Sequence, residues 1–151
     1  MRKSNFDRRG GESRLRRSAP EEMEMAFEDL FKQVCAANGW TTHGNEATVT
    51  IAGGRSQRIL WQQFRHENKD MVRLYSFIGT SEKLSQVRLE AALRLNFSLP
   101  HGALAIHSEK LVMTETFLVS DADQAEVESA IKFLSDMADR YEKLIYDADR
   151  H

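Results

Sequence analysis

The chain has 151 residues, 41% of them hydrophobic and 29% charged, with a formal net charge of −2. That is enough apolar material for one packed domain, and no run approaches the ~18 consecutive apolar residues of a membrane span. The single cysteine, Cys35, excludes an internal disulfide and fits a reducing compartment.

The net charge conceals an asymmetry. Residues 1–20 hold seven Arg and Lys against two acids, whereas residues 21–151 hold fourteen against twenty-one. A basic N-terminal arm, residues 1–19, therefore precedes an acidic body, residues 20–151, read as a single domain. Residues 1–17 carry too few apolar groups to offset the entropy of ordering them, so the arm is expected to be flexible. No apolar segment follows Arg8-Arg9 or Arg16-Arg17, which argues against a secretory or twin-arginine signal and for a cytoplasmic protein.

The first predicted helix spans about 20–37. Ser18 can cap it, Pro20 is tolerated in the first turn, and Glu21 completes a capping box. Phe27, Leu30, Phe31 and Val34 fall on one face, with Met23 a turn earlier. Asn38-Gly39 ends the helix. Three strands are predicted next: Ala47–Ala52, Gln57–His66 and Met71–Ile78, with Glu67–Asp70 as a polar turn. If His66 pairs with Met71, Ile59 and Trp61 share a face with Val72, Leu74 and Ile78. Leu60 and Phe64 then share the other with Met71, Tyr75 and Phe77. Both faces are apolar, so each needs cover: helices on one, and a second subunit or bound peptide over part of the other.

A second helix of about 82–95, capped by Ser81, carries Leu84, Val87, Ala91 and Leu95 as one stripe and Leu89, Ala92 and Leu93 as another. A helix apolar on two sides is expected to be buried on both. Pro100 and Gly102 mark a turn. Ala103–His107 and Leu111–Val119 form a hairpin across Ser108-Glu109. A last helix, capped by Ser120 or Asp121, runs to about 147 with Val127, Ile131, Leu134, Ala138, Tyr141 and Ile145 on its buried face. The order α-β-β-β-α-β-β-α predicts an α+β fold with three helices and a mostly antiparallel five-stranded sheet.

The chain offers little chemistry. His43, His66, His101, His107 and His151 form no His-x-x-x-His pair, and Cys35 has no Cys-x-x-Cys partner, so neither a metal nor a cofactor is expected. Cys35 lies near the C-terminal end of a helix, where the dipole disfavours a thiolate, and reads as a small buried hydrophobe. Gly53-Gly54-Arg55-Ser56 lacks the spacing and lysine of a phosphate-binding loop and reads as a hairpin turn. Glu115 is predicted to point inward with Leu111, Met113, Phe117 and Val119, paired with Arg73, Arg58 or Arg94. The acidic body, with no basic recognition helix, speaks against nucleic acid as the main partner.

The stretch LPHGALAIHSEKLVMTETFLV, followed by DADQAEVESAIKFLSDMADRYEKL, resembles the type III secretion chaperone-like fold, a group that includes the Tir-chaperone families and YbjN-like proteins. The resemblance covers about residues 20–148. It implies a small, acidic, cytoplasmic homodimer whose second helix builds the subunit contact and whose sheet and first helix hold an extended segment of a client protein. The basic arm departs from the family pattern. The resulting expectation is a non-enzymatic, dimeric, chaperone-like protein-binding module without a cofactor. Leu84, Val87, Ala91 and Leu95 would form the dimer interface. Ile59, Trp61, Tyr75 and Phe77 would be the client-binding candidates, of which only one pair can lie in a groove. The alternative is a regulatory protein whose basic arm binds nucleic acid or another anionic partner.

Overall fold

The computed structural model describes residues 19–146, with side chains from residue 26 onward. The basic arm through residue 18, and the side chains of the Ser18–Glu21 capping box and of Met23, lie outside that range. The elements are α1 (Ala19–Ala37), β1 (Thr41–His43), β2 (Glu46–Thr50), β3 (Ser56–His66), β4 (Lys69–Thr80), α2 (Gln86–Asn96), β5 (Ala103–His107), β6 (Lys110–Leu118) and α3 (Gln124–Tyr146).

The expected α+β class and element order hold, with one strand more than predicted. The sheet has six strands in the order β1-β2-β3-β4-β6-β5, with every neighbouring pair antiparallel. The extra strand, β1, comprises three exposed residues, so it carries no buried alternation from which it could be read.

Two hairpins fix the central register. Glu67 and Asn68 both take positive φ, as do Ser108 and Glu109, which is the two-residue turn whose twist suits antiparallel strands. The β3–β4 turn is therefore shorter than Glu67–Asp70, and His66 lies opposite Lys69 rather than Met71. The error is two residues. Because side chains alternate with period two, both predicted faces survive it.

The inner face carries Ala47, Val49, Ile59, Trp61, Val72, Leu74, Leu111 and Met113, all buried beneath α1 and α3. Phe27, Phe31 and Val34 of α1 and Val127, Ile131, Leu134, Ala138 and Tyr141 of α3 complete this core. Trp61 stacks edge-on against Phe27 at 5.1 Å between ring centres.

Helix boundaries differ from expectation for identifiable reasons. Ser81 opens a short 3-10 turn, and α2 begins only at Gln86, capped by Ser85, whose hydroxyl accepts a hydrogen bond from the Arg88 amide at 3.3 Å. Between them Leu84 is extended, and its side chain is buried in the core. Asp123, not Ser120 or Asp121, caps α3 by accepting from the Glu126 amide at 2.8 Å. Residues 119–121 form their own 3-10 turn.

The far end of α3 crosses back over β4. The Tyr146 hydroxyl donates to the Thr80 carbonyl at 2.8 Å, and its ring lies against Gly79. A methyl group at position 79 would overlap that ring. Gly79→Ala is therefore expected to destabilise the protein by about 1–3 kcal/mol through overpacking. Denaturant unfolding checks this, and the cost should shrink in a Tyr146→Ala background, since the two residues touch.

Candidate functional site

Two surfaces stand apart from the core. The first is built around α2, the crossover between β4 and the edge strand β5. Polar contacts hold this helix at both ends. The Asn96 amide donates to the Leu104 carbonyl at 3.1 Å and accepts from the Leu104 amide at 2.7 Å. The Arg88 guanidinium donates to the Ile145 carbonyl at the end of α3 at 2.5 Å. Within α2 itself, Ala92 alone is buried.

Apolar grooves run along both flanks of α2. One is lined by Leu89, Ala92 and Leu93 with Leu104, Ala105, Ile106 and Leu111. The other is lined by Ala91, Ala92 and Leu95 with Leu104, Tyr141, Leu144 and Ile145, and by Arg88. Val87 is 76% exposed and Leu93 69%. The expectation that α2 is covered on both apolar sides is therefore not met by the chain itself, because the helix sits at the sheet's edge rather than over its face.

The predicted interface residues divide accordingly. Val87 and Ala91 are exposed, and Leu95 is half-buried along a groove. Leu84 is displaced from the stripe, because the break before Ser85 turns it into the core. Exposed Phe97, Ile106 and Leu144 add to the apolar surface. The sequence spacing predicts Leu144, with Phe133 and Met137, on the widened buried face of α3, but it is 59% exposed because it faces the groove beside α2. Phe97, one residue past α2, carried a readable signal: a large aromatic at a helix end with no stripe to join.

The second surface is the sheet face opposite α1 and α3. Leu60, Phe64, Met71, Tyr75 and Phe77 are half-buried there and lie outside the core cluster. The Tyr75 ring meets Phe77 edge-on at 5.7 Å and His107 at 5.7 Å. The four client-binding candidates thus fall on opposite sides. Tyr75 and Phe77 lie on the open face, whereas Ile59 and Trp61 are core residues under the helices and unavailable to a partner.

The titratable groups set up no reactive centre among the described residues. Cys35 is buried, and burial pushes its thiol up to about 11, so it is protonated and inert near neutrality. Glu115 does point inward, but its partner is His101, with Nδ1 to Oε1 at 3.1 Å, rather than an arginine. Arg58 and Arg73 occupy the opposite sheet face, and Arg94 pairs with Glu90 on α2. The His101 ring in turn stacks on Phe133 at 3.9 Å, fastening the turn before β5 to α3. The Gly53–Ser56 turn is tied to α3 as well: Arg55 forks onto both oxygens of Asp139 at 2.9 Å, which holds that carboxyl below its ordinary range. These are contacts between elements. Around the Arg55–Asp139 pair, Ser56, Gln57, Glu142 and Lys143 line an open cleft, in which both carboxylates are already engaged, Asp139 by Arg55 and Glu142 by the Gln57 amide at 3.0 Å. No group of three or more metal-ligating side chains occurs among the described residues, and none of their helices is long and apolar enough to cross a membrane.

A chain in a solved structure, entitled "Structure of the HopA1-SchA Chaperone-Effector Complex", superposes on this one with a TM-score of 0.55 at 7% identity, covering 81% of this chain and 97% of that one. The fold is secretion-chaperone-like. No protein-family model matches the chain, and no curated protein matches it. At 7% identity the likeness lies in the fold and not in shared side chains.

Proposed function

We propose that the chain is a non-enzymatic, homodimeric, chaperone-like module that holds an extended segment of a client protein. The observation that carries this reading is the uncovered apolar flank of α2, with Val87 at 76% and Leu93 at 69% exposure beside two apolar grooves. Large apolar side chains clustered at one edge of a fold mark a protein–protein contact more often than a solvated surface. A second copy, presenting the same helix, would cover them by the self-complementary geometry of a two-fold interface. Val87, Ala91, Leu93 and Leu95 would bury that contact. The open sheet face, with Tyr75 and Phe77, would remain for the client. Aromatic side chains on such a face supply the few strong anchors that dominate binding energy. The structural neighbour comes from a complex of a chaperone with an effector, which supports the same reading. The single buried cysteine suits the reducing conditions of a cytoplasm.

Sedimentation velocity tests the dimer. The wild-type chain is expected to sediment as a dimer, and the double variant Val87→Asp, Leu93→Asp as a monomer with an unchanged circular dichroism spectrum, since both side chains are solvent-facing in the single subunit. A wild-type monomer across the accessible concentration range would overturn the dimer. The client face is tested separately on an array of extended peptides. Phe77→Asp should abolish peptide capture while leaving the dimer intact.

A further inference from the structure

The open face of the sheet has a charge that the rest of the body does not share. The strands turn four cations outward on it, Arg58, Lys69, Arg73 and Lys110, and among the described strand residues of that face Glu46 is the one carboxylate. Glu46 is already taken, its two oxygens gripped by Nε and Nη2 of Arg58 at 2.6 and 2.5 Å. Residues 21–151 as a whole carry seven more acids than bases. An excess of positive charge on one apolar face of an acidic body is a feature of that face.

Two of these cations are held in place without a carboxylate. The Arg73 guanidinium lies 4.5 Å above the centre of the Phe64 ring and donates to the Thr116 hydroxyl at 3.3 Å. The Lys110 ammonium lies 4.6 Å above the Phe77 ring. Ring faces orient a cation but leave its charge unneutralised, so both remain open to an anion. Tyr75 sits between them.

We propose that this face binds an extended acidic peptide segment, with carboxylates on Arg73 and Lys110 and an apolar or aromatic side chain against Tyr75. The proposal rests on the client-holding reading and names the chemistry of the client. An extended chain turns alternate residues to one side and rises about 3.3 Å per residue, so Arg73 and Phe77 are about 13 Å apart along β4. Acids four residues apart, flanking an apolar residue midway, match that spacing. A single-stranded nucleic acid is the other polyanion that aromatic sheet faces accept, but it needs free ring faces for its bases to stack on. Here Phe64 and Phe77 each have a ring face occupied by a cation.

The test is fluorescence anisotropy on the full chain with three labelled serine-rich peptides. All carry a central phenylalanine, flanked four residues apart by glutamates, glutamines or lysines. The glutamate peptide is expected to bind about tenfold tighter than the glutamine peptide, as two partly screened charge pairs would give, and to lose that advantage in the Arg73→Gln, Lys110→Gln variant and at high salt. Equal binding of the glutamate and glutamine peptides overturns the acidic preference while leaving the client-holding reading standing. Binding of none of the three, by a chain that still dimerises, overturns the proposal together with client docking on this face. Displacement of the glutamate peptide by oligothymidylate at lower concentration than by its unlabelled self overturns the proposal in favour of nucleic acid.

Discussion

Leu134→Ala is expected to lower the free energy of unfolding by about 2–5 kcal/mol, the range for deleting most of a leucine side chain from a core that cannot collapse around the loss. Leu134 is fully buried near the middle of α3, between Ile131 and Ala138 on the stripe that lies against β3 and β4. Its neighbours come from regular elements on both sides, so little can move in to fill the space. Chemical denaturation at fixed protein concentration measures the effect, concentration being held because any association adds to apparent stability. Asp136→Ala, two residues away and exposed, should stay within about 0.5 kcal/mol of wild type. A Leu134→Ala variant as stable as that control would mean that α3 is rotated from the position described.

The buried face of α3 was legible in the sequence because it repeats. Val127, Ile131, Leu134, Ala138 and Tyr141 keep helical spacing over four turns, and all five are buried. The same periodicity in Phe27, Phe31 and Val34 exposed the core face of α1. Alternation in β3 and β4 separated Ile59 and Trp61 from Tyr75 and Phe77 even with the turn misjudged, because a two-residue slip preserves faces.

What could not be read depended on contacts between distant parts of the chain. Whether Ser81 or Ser85 caps α2 depends on Leu84 finding a place in the core, a packing outcome invisible to local propensity. Glu115 pairs with His101 because the β5–β6 hairpin brings the preceding turn alongside it, whereas the arginines proposed from charge alone belong to the other face or another helix. β1 is three exposed residues paired to β2, and nothing in Thr41–His43 alternates. The cationic character of the open face was equally hidden. Arg58, Lys69, Arg73 and Lys110 are scattered in sequence and converge only once the register is set.

Trp61→Ala separates a core role from a partner-binding role for the residue that sequence left between them. Trp61 lies under α1, 6% exposed, with its ring 5.1 Å from Phe27 and 6.2 Å from Phe31. Truncation empties an aromatic site shared by three rings, and a loss of about 3–5 kcal/mol is expected in equilibrium denaturation. Trp61→Phe should recover most of it. The indole Nε1 is buried and has no hydrogen-bond acceptor among the described residues, so replacing the indole by a phenyl ring removes a desolvated donor while keeping most of the packing. Phe77→Ala, on the open face, should cost clearly less stability than Trp61→Ala and show its effect in peptide capture instead. Unchanged unfolding of Trp61→Ala, with peptide capture abolished, would move Trp61 out of the core and reverse the assignment of the two sheet faces on which the client-binding reading depends.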